Sequence, residues 1–170
     1  MKIRSYVVLL IVSTSGVIQG SCERSDSSLA VETYIEKLKS NQYDSVDLPD
    51  FTYADIPALL EYRNEKQIIT NFPRNPISSL WEPECRLGIY VLWTIESIRA
   101  VAIGSKYLIL RFPSRNPILS LRESDELVLV RTQEAQDQAA QAYYDWFYTN
   151  LMWDQFKWRD PLEETDFKWH

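Results

Sequence analysis

Residues 86–103, RLGIYVLWTIESIRAVAI, constrain this chain more than any other stretch, because they form its longest apolar run after the N-terminal leader and must be covered from several sides. On a helix, Leu87, Val91, Thr94, Ile95, Ile98 and Ala102 recur at spacings of three and four and trace one stripe. Ile89, Leu92, Trp93 and Ile103 cover much of the other side. A helix apolar nearly all round belongs between neighbours rather than at the surface. Its polar members, Glu96 and Arg99, stand three residues apart and therefore side by side, which predicts a buried ion pair.

Ahead of this rod, Lys2 and Arg4 precede an apolar run over 6–12, and small or polar residues lead on to Gly20, Ser21 and Cys22. That plan predicts a signal peptide over 1–21, acylation of Cys22, a polar lipid-anchored tether over 22–27 and a single helical domain over 28–170. Gln19 stands where a lipoprotein signal has an aliphatic residue, so an ordinary secreted protein is the alternative. The expected location is the cell envelope, on the periplasmic or cell-surface side of the outer membrane, with the membrane met only through the lipidated Cys22. Removing Lys2 and Arg4 leaves 16 basic against 24 acidic residues, a balance unsuited to nucleic acid as a partner. With Cys22 acylated, Cys85 has no partner for a disulfide; a Cys22–Cys85 bridge is the rival, and a catalytic thiol would lack a base.

Ser27 or Ser28 can cap a first helix to about residue 39, with Leu29, Tyr34, Ile35 and Leu38 on its apolar side. Thr52 and Asp55 open a second, running to about residue 63. A last long helix, from about 132 to 153, turns Ala135, Ala139, Ala142, Tyr143, Trp146, Phe147 and Asn150 inward. The runs KYLILRF at 106–112 and ELVLVR at 126–131 are able to pair as two strands. An extended tail over 156–170 is expected to be pinned by Trp158, Phe167 and Trp169.

Two corners resemble each other, FPRNPISSL at 72–80 and FPSRNPILSL at 112–121, with Pro73 and Pro113 forty residues apart. Each proline pushes the residue before it out of the helical region, so Phe72, Asn75, Phe112 and Asn116 should be extended and each Phe free to pack back on the helices. Each corner follows a helix with related residues, LLEYR and TIESIR. A period near forty predicts an all-α fold, a short HEAT-like array of helical hairpins with about four main helices and Pro-rich corners, with room for one small two-stranded β element.

The segments LLEYRNEKQIITNFPRNPISSL, LWTIESIR, AAQAYYDWF and DPLEETDFKW, on a Cys-anchored leader, resemble an uncharacterised family of small Bacteroidota lipoproteins known as a domain of unknown function. They also look like a single unit of helical-repeat lipoproteins. The resemblance covers nearly the whole mature chain, and the family supplies no catalytic or ligand residues to carry over.

The chemistry open to the chain is narrow. His170 is the only histidine, which argues against Ser-His-Asp, Cys-His and His-rich metal sites. Gly88 and Gly104 are the only glycines after the leader, too few for a phosphate-cradling loop, so neither a cofactor nor a metal is expected. Asp44, Asp47 and Asp50 could offer oxygen ligands to calcium or serve as caps and turn-formers. Glu96 with Asp145 could in principle supply the two carboxylates of a hydrolase. Eight aromatic residues crowd positions 143–158 and cannot all face one way on a helix. Tyr144, Tyr148, Trp153 and Trp158 are therefore candidates for an exposed platform that meets a protein or sugar rings, unless the tail folds over them. The expectation is a non-enzymatic, lipid-anchored interaction or scaffold module with a protein or glycan partner, the alternatives being a glycan-binding accessory protein and a carboxylate-dependent hydrolase.

Overall fold

The computed structural model describes residues 26–149 and 152–170, and only the backbone of Trp153. The expected signal peptide, Cys22, most of the tether and Asn150 lie outside the described residues.

The apolar rod is helix α3 (Leu87–Ala102), and its first twelve residues, 87–98, are all buried. Three helices surround it. Helix α1 (Asp26–Lys39) buries Val31, Tyr34, Ile35 and Leu38. Leu29, expected on that face, is 57% exposed; lying two residues from Val31, it falls on the opposite side of the helix. Asp55 accepts the backbone N–H and the hydroxyl of Thr52 at 2.7 and 3.0 Å, which starts a short 3-10 turn (Tyr53–Asp55) leading into α2 (Ile56–Leu60). Thr132 caps α4 (Gln133–Tyr148) by accepting from the Ala135 amide at 3.2 Å, and α4 turns Ala135, Ala139, Tyr143, Trp146 and Phe147 inward. A last short helix is α5 (Trp153–Phe156).

The fold is mixed α/β rather than the all-α array expected. Strand β1 (Ile68–Ile69) pairs antiparallel with β2 (Cys85–Arg86). In a second sheet β3 (Leu119–Leu121) lies between β4 (Leu129–Val130) and β5 (Phe167–Trp169), antiparallel to both. Strands of two or three residues are too short for an alternating pattern to mark them. The run 106–112 does not pair with 126–131: Leu110 takes a left-handed backbone (φ 54°), so the chain reverses and Ile109 bridges Phe112. The tail closes through β5, where Phe167 and Trp169 are buried, whereas Trp158, expected to help pin it, is 62% exposed and lies outside the core.

The two similar corners both dock on α3, which accounts for their likeness without a helical repeat. Phe72, Tyr90, Trp93 and Phe112 form a chain of rings with centroids 5.0, 5.4 and 5.9 Å apart. The Tyr90 hydroxyl donates to the Pro73 carbonyl at 2.8 Å and the Trp93 indole to the Arg115 carbonyl at 2.9 Å. Asn75 of the first corner donates to Pro113 of the second at 3.2 Å. The first corner joins β1 to β2 and the second joins α3 to β3, so no helix pair recurs and the HEAT-like expectation fails. Tyr90→Phe keeps the ring and leaves the buried Pro73 carbonyl without its donor; a loss of about 1 to 2 kcal/mol is expected in urea unfolding, with the denaturant slope unchanged.

Helix directions set the two ends of the domain. Gln136 meets the backbone beside Gly88 near the starts of α4 and α3, and Tyr143 meets Glu96 further along both, so these helices run parallel. Helix α1 runs the other way: Ser27 bonds Asp55 at its start, Tyr34 meets Thr94 at its middle, and Asn41 just past its end accepts from the amides of Thr70 and Asn71. One end therefore gathers the start of α1, the 3-10 turn, the ends of α3 and α4, and α5. The other gathers the starts of α3 and α4 with the β1–β2 pair. No helix among the described residues is long and apolar enough to cross a membrane.

Candidate functional site

A cavity of about 330 Å³ opens where α3 and α4 begin. Its floor is apolar, made by Ile68, Ile89, Ile118, Leu119 and Val130 with the thiol of Cys85, and its rim carries Glu82, Glu84, Arg86 and Arg131. The volume falls in the range of small-ligand sites and suits one or two apolar side chains.

Each wall has a local cause. Residues 80–84 carry no helix or strand, and Arg74 holds them: its guanidinium stacks on Phe72 and Trp81, 3.9 and 4.6 Å from the ring centroids, and donates to the carbonyls of Glu82 (3.0 Å) and Pro83 (3.2 Å). Strand β2 places Arg86, which donates to the Gln133 side chain at 2.8 Å and the Arg131 carbonyl at 3.3 Å, tying β2 to the entry of α4. Across the rim Arg131 pairs with Glu82 at 2.7 Å. Mixed charges compensate one another there and leave the apolar floor as the feature a partner would read. Burial pushes the Cys85 thiol well above its ordinary value, and its sulfur lies 3.4 Å from the Pro117 carbonyl. Burial of this kind favours the protonated thiol, which packs into the cavity floor.

Glu96 and Arg99 meet in a bidentate pair, with contacts of 2.7, 3.1 and 3.2 Å. The Tyr143 hydroxyl also donates to Glu96, and the Trp169 indole donates to that hydroxyl at 2.8 Å. Burial, then the Glu96 charge, drives the Tyr143 pKa well up, so the phenol serves as a neutral donor. Asp145 lies exposed on α4 with its carboxylate taken by Gln141 at 2.8 Å. The two acids proposed for hydrolysis thus stand in different surroundings, one buried and saturated, the other wet. Asp44 and Asp50 pair with Lys37 and Arg111 at 3.4 and 3.2 Å, and no group of three potential metal ligands occurs among the described residues. His170 meets Asn116 through its Nδ1 at 3.0 Å, beside β5.

The candidate aromatic surface is divided. Tyr144 and Tyr148 are 37% and 50% exposed, their rings 4.5 Å apart, with Arg63 over Tyr144 at 4.5 Å. Trp158 lies exposed near the end of α3, where Arg99 reaches the neighbouring Lys157 carbonyl at 3.4 Å, and the side chain of Trp153 is outside the described residues. The cavity residues escaped sequence reasoning because Ile68, Cys85, Ile118 and Val130 come from four separate segments. Locally the sequence shows only the arginines of the rim, Arg86 at the start of the long apolar run and Arg131 at the end of the run 126–131.

These features define a small mixed α/β domain with an apolar cavity at one end and an aromatic surface toward the other. A family model described as a domain of unknown function (DUF4943) matches residues 25–170, and the chain belongs to that family. No curated protein and no solved structure matches it.

Proposed function

We propose that the chain is a non-enzymatic interaction protein of the cell envelope, held by lipid at Cys22, that receives an apolar side chain of a partner protein in the cavity between β2 and the β3–β4 pair. The observation that carries this reading is the apolar floor itself, Ile68, Ile89, Ile118 and Val130 beneath a rim of compensated charges, at the end of the domain opposite the start of α1. An envelope tether that enters at one end leaves the other end free to meet a partner.

The test replaces exposed Glu84, on the cavity rim, by a photo-crosslinking residue in the native cell and adds Ile68→Asp. A discrete crosslinked protein is expected, reduced about tenfold or more by the aspartate, which sets a charge on the apolar floor. Ile68 is 43% exposed, so the variant should keep its fold, checked by an unchanged thermal transition. No discrete adduct, or one indifferent to Ile68→Asp, would sink the reading.

A further inference from the structure

We propose that the aromatic end of the domain lies against the interfacial layer of the lipid bilayer, so that the anchor and this face together fix the domain's orientation. The inference rests on the Cys22 anchor proposed for this chain. Ser27 donates to the Asp55 side chain and the Ala54 carbonyl, which sets the first turn of α1 beside the 3-10 turn that carries Tyr53. Tyr53 packs on Phe147 with centroids 5.4 Å apart, Phe147 on Tyr148 at 5.1 Å, and Tyr148 on Tyr144 at 4.5 Å. Tyr53, Tyr144 and Tyr148 all reach solvent, and Met152, just beyond α4, is exposed as well. Three exposed tyrosines, joined through the buried ring of Phe147, therefore gather at the end where the described chain begins.

The length of chain ahead of it selects the occupant. Cys22 precedes Asp26 by four residues, a span of at most about 14 Å when fully extended. An acylated Cys22 would hold this end within that distance of the bilayer surface, too close for the tyrosines to remain in bulk water in every orientation. Tyrosine is the side chain suited to that depth, its ring in the apolar margin and its hydroxyl among the headgroups. Acidic residues outnumber basic ones in the chain, so attraction to anionic lipid is not what holds the face down. The contact should form on neutral phosphatidylcholine and phosphatidylethanolamine.

The experiment uses the full chain purified from membranes of its own cells and reconstituted into neutral vesicles of those two lipids, beside a Cys22→Ser chain in solution. Hydroxyl-radical footprinting reads Tyr53, Tyr148 and Met152, with exposed Trp81 beside the cavity as the internal reference. Oxidation of the three is expected to fall about threefold or more on vesicles while Trp81 is unchanged. A chain that floats with the vesicles but keeps its tyrosines as reactive as in solution overturns the inference and leaves the anchor standing. A chain that does not float overturns the anchor and the inference together. Protection in the Cys22→Ser chain by cell-wall polysaccharide, with none on vesicles, would make the face a sugar platform and overturn the inference as well.

Discussion

Glu96→Leu is expected to destabilise the domain by about 3 to 5 kcal/mol, read by urea or thermal unfolding. Leucine is somewhat bulkier than glutamate, so no cavity is left and the loss comes chiefly from the unpaired charge. Glu96 is 4% exposed and accepts from both Nε and Nη2 of Arg99 and from the Tyr143 hydroxyl. Burial disfavours the charge on Arg99, but the Glu96 carboxylate and its hydrogen bonds outweigh that and leave the arginine's pKa above its ordinary value. Without the acid, a largely buried guanidinium faces an apolar neighbour, and the phenol loses its acceptor. The double variant Glu96→Leu with Arg99→Met is expected to recover more than half of the loss, because an apolar pair then fills the same space. A single variant that loses less than about 1 kcal/mol would mean that water, not Glu96, satisfies Arg99.

Gly88→Ala is the second large effect, expected at about 3 kcal/mol and a fall in Tm on the order of 10 °C. A Cβ at this position would sit 2.2 Å from the Gln136 Nε2, 2.4 Å from the Arg63 carbonyl oxygen and 3.0 Å from that of Glu65. The amide end of Gln136 can swing aside, but the Arg63 oxygen is backbone at the close of the turn after α2, and the Gly88 amide itself donates to Glu65 at 3.0 Å. The double variant with Gln136→Ala should therefore recover only part of the stability. Full recovery would show that the side chain, not the backbone, sets the limit.

Both sites sit where sequence reasoning was strong about the rod and silent about its surroundings. Residues 86–103 read as a buried helix because apolar residues occupy both of its sides, and α3 spans nearly that stretch. The inward alanines and aromatics of α4 were legible for the same reason, a long period-of-3.6 pattern. Leu29 does not belong to the narrow face of α1, which Val31, Tyr34, Ile35 and Leu38 make. The sheets were illegible in detail: strands of two and three residues carry no periodicity, and β5 pairs with β3 from nearly fifty residues away, Trp169 opposite Leu119. Both corners bury their phenylalanine, as the proline-marked motif leads one to expect, but the motif does not mark a repeat. What the two corners share is a docking partner, the Tyr90–Trp93 edge of α3. The cavity had no local signature, since its floor is assembled from segments brought together only by the two sheets.

The β3–β5 ladder has a mechanical consequence. By joining position 119 to position 169 it makes the intervening stretch, α4 included, a ring closed by hydrogen bonds. A protease that nicks the wet crossing between β3 and β4 would open that ring without freeing a fragment, because the new piece stays stitched to its former neighbour through the β3–β5 ladder and through the Tyr143 hydroxyl on Glu96 inside the core. Such a protein is expected to be cut there and still hold its shape.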